Sequence, residues 1–342
     1  MNKKIGFAGN WYSTPKGHSY VIRDLIRILN KAGHETHMFR CGTNELNEEF
    51  DKPTTLKDYP GKTIPKEDFE KWLDEVKPEY CVFMEYQQWW EEDHDKIQIC
   101  KDRGIKPIGF LVWEKLNWDK LDHYKQYWKI LSPTGFQTKL MRKNGLYNAV
   151  HIKWGAFFDE IDVVEEPPRQ DKVVFYHCAG SGGVGDRKNT KKVTDAYKQI
   201  KDDNTELFIT HLGNKIFSRK QIIGFMKYAD VLINASKWDT IGLNNIEANI
   251  CGRPVITTDA PPMNELIKDN VNGFLVTAKQ DTCEHVTCPS MDVNVDELAQ
   301  KMSLCKNKEI LRTLQSNSRI FAETNFDWKK NKQDILKLFK EV

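Results

Sequence analysis

The stretch Asp239-Thr-Ile-Gly-Leu-Asn-Asn-Ile-Glu247, continuing Ala-Asn-Ile-Cys-Gly-Arg-Pro-Val-Ile-Thr-Thr258, sets the fold of the whole chain. Before it runs Val231-Leu-Ile-Asn-Ala235, short and apolar, which reads as a buried strand. After it, Cys251-Gly-Arg-Pro254 stops a helix and Val255-Ile-Thr-Thr258 reads as a second strand. The order is therefore strand, loop, short helix, turn, strand. One carboxylate stands at the loop mouth and one in the helix. Between them Gly242 allows close backbone approach, and the first N–H groups of the helix point outward. Amides suit phosphate and carboxylates suit sugar hydroxyls, so the stretch fits an anionic, hydroxyl-rich ligand.

A chain of 342 residues is long enough for two domains of about 150 residues, each with its own core. With 39% hydrophobic and 29% charged residues, the composition is that of a soluble globular protein. A net charge of +2 implies no nucleic-acid partner by itself. Met1-Asn-Lys-Lys-Ile-Gly passes into a strand, with no signal-peptide apolar run, and no segment reaches the length of a membrane span. Eight scattered cysteines, several inside apolar runs, fit a reduced, cytoplasmic setting.

Outward from the opening stretch, the same alternation covers both halves. Lys4–Gly9 reads as a strand, residues 10–17 as a loop and His18–Ala32 as an amphipathic helix. Gly33 ends that helix, and Glu35–Phe39 is a strand. Residues 40–66, with three prolines, read as an excursion outside the core. Further strands are expected at Tyr80–Met84, Pro107–Val112, Trp128–Leu131 and His151–Trp154. Residues 159–172, acidic and proline-containing, read as a linker. The pattern then restarts with a strand at Lys172–His177, a glycine-rich loop at Gly180–Asn189, and a strand-helix pair at Glu206–Tyr228. Residues 277–292 read as a polar loop, and Asp327–Lys340 as a last amphipathic helix. These are α/β halves of the doubly wound kind, with a cleft expected between them. The expected division is residues 1–158 with the terminal helix 326–342, and residues 170–325.

Asp239–Glu247 with Ala248-Asn-Ile-Cys-Gly-Arg-Pro-Val-Ile-Thr257 resembles the acid-x7-Glu signature of retaining glycosyltransferases of the GT-B fold, family 4 type (glycosyl transferases group 1). Gly17 before a helix with Gly33-His34-Glu35, Arg187-Lys188-Asn189 after a glycine-rich loop, and Phe326-Asp-Trp328 opening the last helix are similar to further parts of that family. The resemblance covers the second half well and the first loosely. It implies two Rossmann-like domains facing each other across a cleft, with the C-terminal helix crossing back to the first. It also implies transfer of a hexose or pentose from a nucleoside diphosphate sugar, by default a UDP-sugar, to an acceptor hydroxyl.

In such an enzyme Glu247 accepts hydrogen bonds from ribose hydroxyls. Asp239 binds the transferred sugar, helped by the amides of Thr240, Ile241, Gly242 and Leu243. Lys188 and Arg187 neutralise the departing diphosphate, where negative charge grows in the transition state. Gly182 and Gly183 leave amides open to phosphate, and Gly17 lets the first-domain loop approach it. This chain departs from the family twice: Asp239 stands where Glu is usual, and Gly180-Ser-Gly-Gly183 occupies the place of an arginine.

The acceptor side is less defined. His18 reads as a phosphate contact, an acceptor contact or a surface residue. Glu114, at the end of a first-half strand, is the catalytic candidate there, with Glu85 as its alternative. Trp89 and Trp90, in a polar setting beside Glu91-Glu-Asp93, offer stacking faces for a sugar or an unpaired base. No Asp-x-Asp motif sits at a strand end, so no metal or other cofactor is expected. Cys283-Glu-His285-Val-Thr-Cys288 lacks a second ligand pair and reads as a loop before a zinc site. A glycan or lipid-linked acceptor is expected, with peripheral membrane contact compatible with the scattered lysines. The alternatives are a phage-type enzyme acting on modified DNA bases and an inactive nucleotide-sugar-binding protein. The absence of a Gly-x-Gly-x-x-Gly turn disfavours an NAD-dependent dehydrogenase.

Overall fold

A computed structural model describes residues 2–9, 12, 16–43, 45–46, 48–84, 95–168, 171–180, 186–211, 217–283 and 286–340. Glu85, Trp89, Trp90, Gly182 and Gly183 lie outside the described residues, as does His285. The chain forms two compact units, Met1–Ile152 with Lys332–Val342, and Lys153–Asn331. Trp154 packs edge-to-face on Trp328 at 4.9 Å within the second unit.

The first unit holds seven strands: β1 Lys4–Ala8, β2 Glu35–Cys41, β3 Thr55–Tyr59, β4 Tyr80–Met84, β5 Lys106–Phe110, β6 Lys129–Ser132 and β7 Ala149–His151. Their order is β3-β2-β1-β4-β5-β6-β7, with parallel pairing throughout. Helix α1, Gly17–Lys31, follows β1 and buries Val21, Ile22, Leu25, Ile26 and Leu29, the one-face spacing of an amphipathic helix. Trp72, Phe69, Phe39 and Phe83 fill the space beneath the sheet.

The second unit holds β8 Val173–Gly180, β9 Thr205–His211, β10 Val231–Asn234, β11 Val255–Thr258 and β12 Gly273–Val276, in the order β12-β11-β10-β8-β9, again parallel. Phe175, Ile233, Ile256, Leu298, Met302 and Leu314 belong to its core. In both units the connection reverses beside the first strand, between β1 and β4 and between β8 and β10. Open parallel sheets bind ligands at the carboxyl ends of strands at such a switch.

Three segments differ from their expected character. Residues 40–66 contribute an edge strand, β3, whose side chains are mostly exposed. It buries too little to show as an apolar run, and is held by the ladder to β2 and by Arg40 Nε on Asp58 Oδ1 at 2.7 Å. The acidic linker opens with a helical turn, Phe158–Asp162, which buries Phe158 and Ile161. Its acids sit in the first turn, where the helix dipole favours them. Residues 277–292 contain an antiparallel hairpin, β13 Ala278–Asp281 and β14 Ser290–Val293, built from mostly polar residues. Smaller shifts are a strand that ends at Phe110 rather than Val112, and a last first-unit strand at Ala149–His151 rather than His151–Trp154. The terminal helix is Trp328–Leu338.

Gly273 pairs with Val255 across β11 and β12. A Cβ there would stand 2.0 Å from the Val255 carbonyl oxygen, a backbone atom that cannot yield. Gly273→Ala is expected to cost about 2–3 kcal/mol and to lower the melting temperature by roughly 5–10 °C. An unchanged thermal melt contradicts this register. Among the described residues no helix is long and apolar enough to cross a membrane, and none of the eight cysteines forms a disulfide.

Candidate functional site

The second unit gathers charge at the carboxyl ends of β8 and β10. Arg187 and Lys188 leave the β8 loop between Asp186 and Asn189, whose φ angles of 49° and 53° are left-handed. Asparagine and aspartate tolerate that conformation through local hydrogen bonds. Here Asn189 Nδ2 donates to the Ala235 carbonyl at 2.9 Å, and the Lys237 amide donates to the Arg187 carbonyl at 2.8 Å. The two loops are stitched together at backbone level.

Across that seam Lys188 Nζ donates to Ser236 Oγ at 2.9 Å, Asp239 Oδ2 at 3.1 Å and Asn234 Oδ1 at 3.5 Å. An ammonium carries three donors, and each has an acceptor. Arg187 Nη1 lies 3.9 Å from the same Asp239 oxygen and donates to the Trp238 carbonyl at 3.4 Å. Two cations face one carboxylate, which leaves one positive charge for an anion. Lys188 is nearly buried while Arg187 is one-third exposed. Burial pulls the Lys188 ammonium below its ordinary 10.5, and Asp239 offsets only part of this. Burial opposes ionisation of Asp239 too, but Lys188 and Arg187 outweigh it and hold the carboxyl below its usual range.

A carboxyl whose folded pKa lies below its unfolded value stabilises the fold above the unfolded value, and loses that contribution as pH falls through the folded one. Wild type is therefore expected to exceed Asp239→Asn by about 2 kcal/mol at neutral pH. That gap should close below the ordinary carboxylate value of 3.8. Melting curves of both proteins across this range check it; a gap constant with pH contradicts the ion pair.

Backbone donors divide unequally between two helices. The helix after β8, Thr190–Ile200, has its first amides occupied: Asp186 accepts from Thr190 N at 3.0 Å and from Lys191 N at 3.4 Å. The helix after β10, Leu243–Ile250, starts at Gly242 with φ 77° and carries no side-chain cap. Asp239 Oδ1 accepts from the Thr240 amide at 2.9 Å. That amide, expected to face a sugar, is turned to Asp239 instead; Ile241, Gly242 and Leu243 continue into the uncapped helix start.

Asn245, in the first turn of this helix, accepts from Asn234 Nδ2 at 2.6 Å, and Asn234 Oδ1 accepts from Ser236 Oγ at 2.7 Å. All three are buried. A hydrogen-bonded chain thus runs from the Lys188 ammonium to the helix start. Asn234, Ser236 and Asn245 were not among the sequence candidates. The available signal was a polar side chain closing the apolar run Val231-Leu-Ile-Asn234 at a parallel strand's carboxyl end.

Glu247 is also buried, and Arg219 Nη2 lies 3.0 Å from its Oε1. Arg219 is the first residue of the helix Arg219–Tyr228, anchored by a capping box between Ser218 and Gln221. Its Nη1 lies 3.8 Å from Glu160 Oε2. Arg219 and Glu160 were not sequence candidates either. A cation at a helix N-terminus opposes the dipole, and that misfit was a legible sign of a carboxylate partner.

The first-unit candidates lie at the start of one helix and in one turn. Gly17 opens α1 and is exposed, and His18 beside it is half-buried. Burial lowers the His18 imidazole to about 4, and Lys16 adds to the shift. Glu114 lies in the turn Trp113–Lys115 after β5, one strand away from the β1/β4 reversal. Among the described residues no three histidine, cysteine or acidic side chains gather as a metal site.

Residues 210–285 match the family model described as Glycosyl transferases group 1, a segment that contains Asp239 and Glu247. Over 267 residues the chain is 26% identical to an uncharacterised glycosyltransferase of Methanocaldococcus jannaschii, covering 73% of this chain and 67% of that one. It is 26% identical over 152 residues to the poly(ribitol-phosphate) alpha-N-acetylglucosaminyltransferase of Staphylococcus aureus, covering 44% of this chain and 26% of that one. Among solved structures, Anabaena HepE in complex with UDP and glucose superposes with a TM-score of 0.77 at 13% identity, over 100% of both chains. The architecture of two Rossmann-like α/β domains is that of GT-B glycosyltransferase structures.

Proposed function

We infer that this protein, a glycosyltransferase carrying a group 1 segment, takes a nucleoside diphosphate sugar as donor and transfers the sugar with retained configuration, without a divalent cation. The observation that carries this reading is the Lys188–Asp239–Arg187 cluster at the β8/β10 switch, with its one surplus positive charge.

In this reading the diphosphate rests against Lys188, Arg187 and the uncapped amides at Gly242 and Leu243. The nucleotide's ribose hydroxyls donate to Glu247. Asp239 accepts from hydroxyls of the transferred sugar. The bond from the anomeric carbon to the β-phosphate oxygen breaks, and its electron pair stays on the phosphate. The acceptor oxygen bonds to the anomeric carbon on the same face, and its proton passes to the departing phosphate oxygen. Charge grows on that oxygen, and fixed cations preorganised beside it lower the barrier. Lys188 and Arg187 supply the neutralisation that a bound metal supplies elsewhere.

Uridine is the base supported by the UDP complex of HepE. The polymer in the name of the Staphylococcus relative, a chain of sugar-alcohol phosphates, supports a hydroxyl-bearing polymer as acceptor. The test is a panel of nucleoside diphosphate sugars, with and without chelator, followed by NMR of the product anomer. The expected result is release of nucleoside diphosphate from one donor, unaffected by chelator, with the donor's anomeric configuration kept. Tight nucleotide binding with no turnover of any donor points to a binding protein instead. An inverted product overturns the retaining mechanism.

A further inference from the structure

We propose that Arg219 is the positioning residue for ribose recognition, holding the Glu247 carboxylate in the plane that accepts the ribose hydroxyls. This rests on the reading of Glu247 as the ribose acceptor given above. Three observations carry it. Arg219 Nη2 is 3.0 Å from Glu247 Oε1, and both side chains are nine-tenths buried. Arg219 stands at the first position of its helix, where a cation meets the positive end of the dipole. Its other terminal nitrogen faces Glu160 at 3.8 Å, on the separate turn Phe158–Asp162.

Stability does not account for this placement. A buried ion pair recovers little beyond its desolvation cost, and the dipole makes this one worse. The arrangement does satisfy the demands of recognition. A buried carboxylate that must accept from two neighbouring hydroxyls needs a counter-charge and a fixed orientation. A planar guanidinium spanning two carboxylates supplies both, because its fork is rigid and its charge is permanent. The capping box of Ser218 and Gln221 fixes the helix end from which Arg219 projects. Arg219 Nη2 meets Glu247 at Oε1, 3.0 Å away. A lysine at the same place is a point charge on a flexible stem, and cannot set the carboxylate plane.

The test is calorimetric binding of UDP and 2′-deoxy-UDP to the full chain. Wild type is expected to prefer UDP by about tenfold or more, one hydrogen bond to a charged group. Glu247→Ala brings the ratio to about one. Arg219→Lys and Arg219→Met are each expected to lower it to threefold or less. Their affinity for 2′-deoxy-UDP should stay within about twofold of wild type, and kcat at saturating donor should change little. If the Arg219→Met protein fails to fold, Arg219→Lys decides. A wild-type ratio in Arg219→Lys, with discrimination lost in Glu247→Ala, overturns the positioning role alone. Discrimination kept in Glu247→Ala overturns the ribose reading itself, and this proposal with it.

Discussion

Replacing Lys188 by alanine is expected to lower kcat by about a hundred- to a thousandfold, the cost of removing one preorganised charge donor from a transition state, with donor affinity changed only a few-fold. The asymmetry follows from what the ammonium faces. In the resting protein its charge is already matched by Asp239 at 3.1 Å, and its remaining donors go to Ser236 and Asn234. A donor diphosphate gains only the surplus charge in the ground state. As the bond to the anomeric carbon breaks, negative charge accumulates on the leaving oxygen, and the interaction grows. Only an interaction that strengthens on the way to the transition state raises kcat. Removing Lys188 also leaves Arg187 and Asp239 balanced, with no net positive charge at the loop. Steady-state kinetics against the donor check this. Equal losses in kcat and in kcat/KM match the account, whereas a raised KM at constant kcat places Lys188 in uniform binding.

Glu247→Ala is expected to weaken nucleotide binding by roughly a hundredfold, from the loss of two hydrogen bonds to a charged acceptor. Two effects add. The ribose hydroxyls lose their acceptor, and the guanidinium of Arg219, 3.0 Å from Glu247 Oε1, loses a buried carboxylate. Truncating one member of a buried charged pair is costly chiefly because the other charge remains. Glu160 at 3.8 Å lies near enough to take part of that charge, so the variant is expected to stay folded. Titration with UDP measures the change. An unchanged dissociation constant contradicts the ribose assignment, and a protein that no longer melts cooperatively would place Glu247 in folding.

Much of the second unit was open to reading because parallel strands bury both faces and stand out as apolar runs. Val255–Thr258 coincides with β11. β3 and the β13–β14 hairpin were not, because exposed, polar strands leave no hydrophobic trace. The charged residues of the site were legible for a related reason. Lys188 and Asp239 follow strand ends, where chemistry collects in this kind of sheet. Their neighbours were hidden. Asp186 blocks a helix start because its backbone is left-handed, which the Gly180–Asn189 loop does not announce. Arg219, Glu160 and Glu247 meet from three separate helices, and no spacing in the chain encodes that meeting. Asp239 illustrates both sides: its place was readable, while its engagement with two cations and the Thr240 amide was not.

A nucleoside diphosphate sugar is proposed to bind the second unit through Lys188, Asp239 and Glu247. A crystal structure of the protein with its donor, or with UDP, tests it most directly. The diphosphate is expected at hydrogen-bonding distance from Lys188 Nζ and Arg187, and the ribose hydroxyls on Glu247 with Arg219 still at its side. A nucleotide bound with its phosphates away from Lys188, or with its ribose out of reach of Glu247, contradicts it.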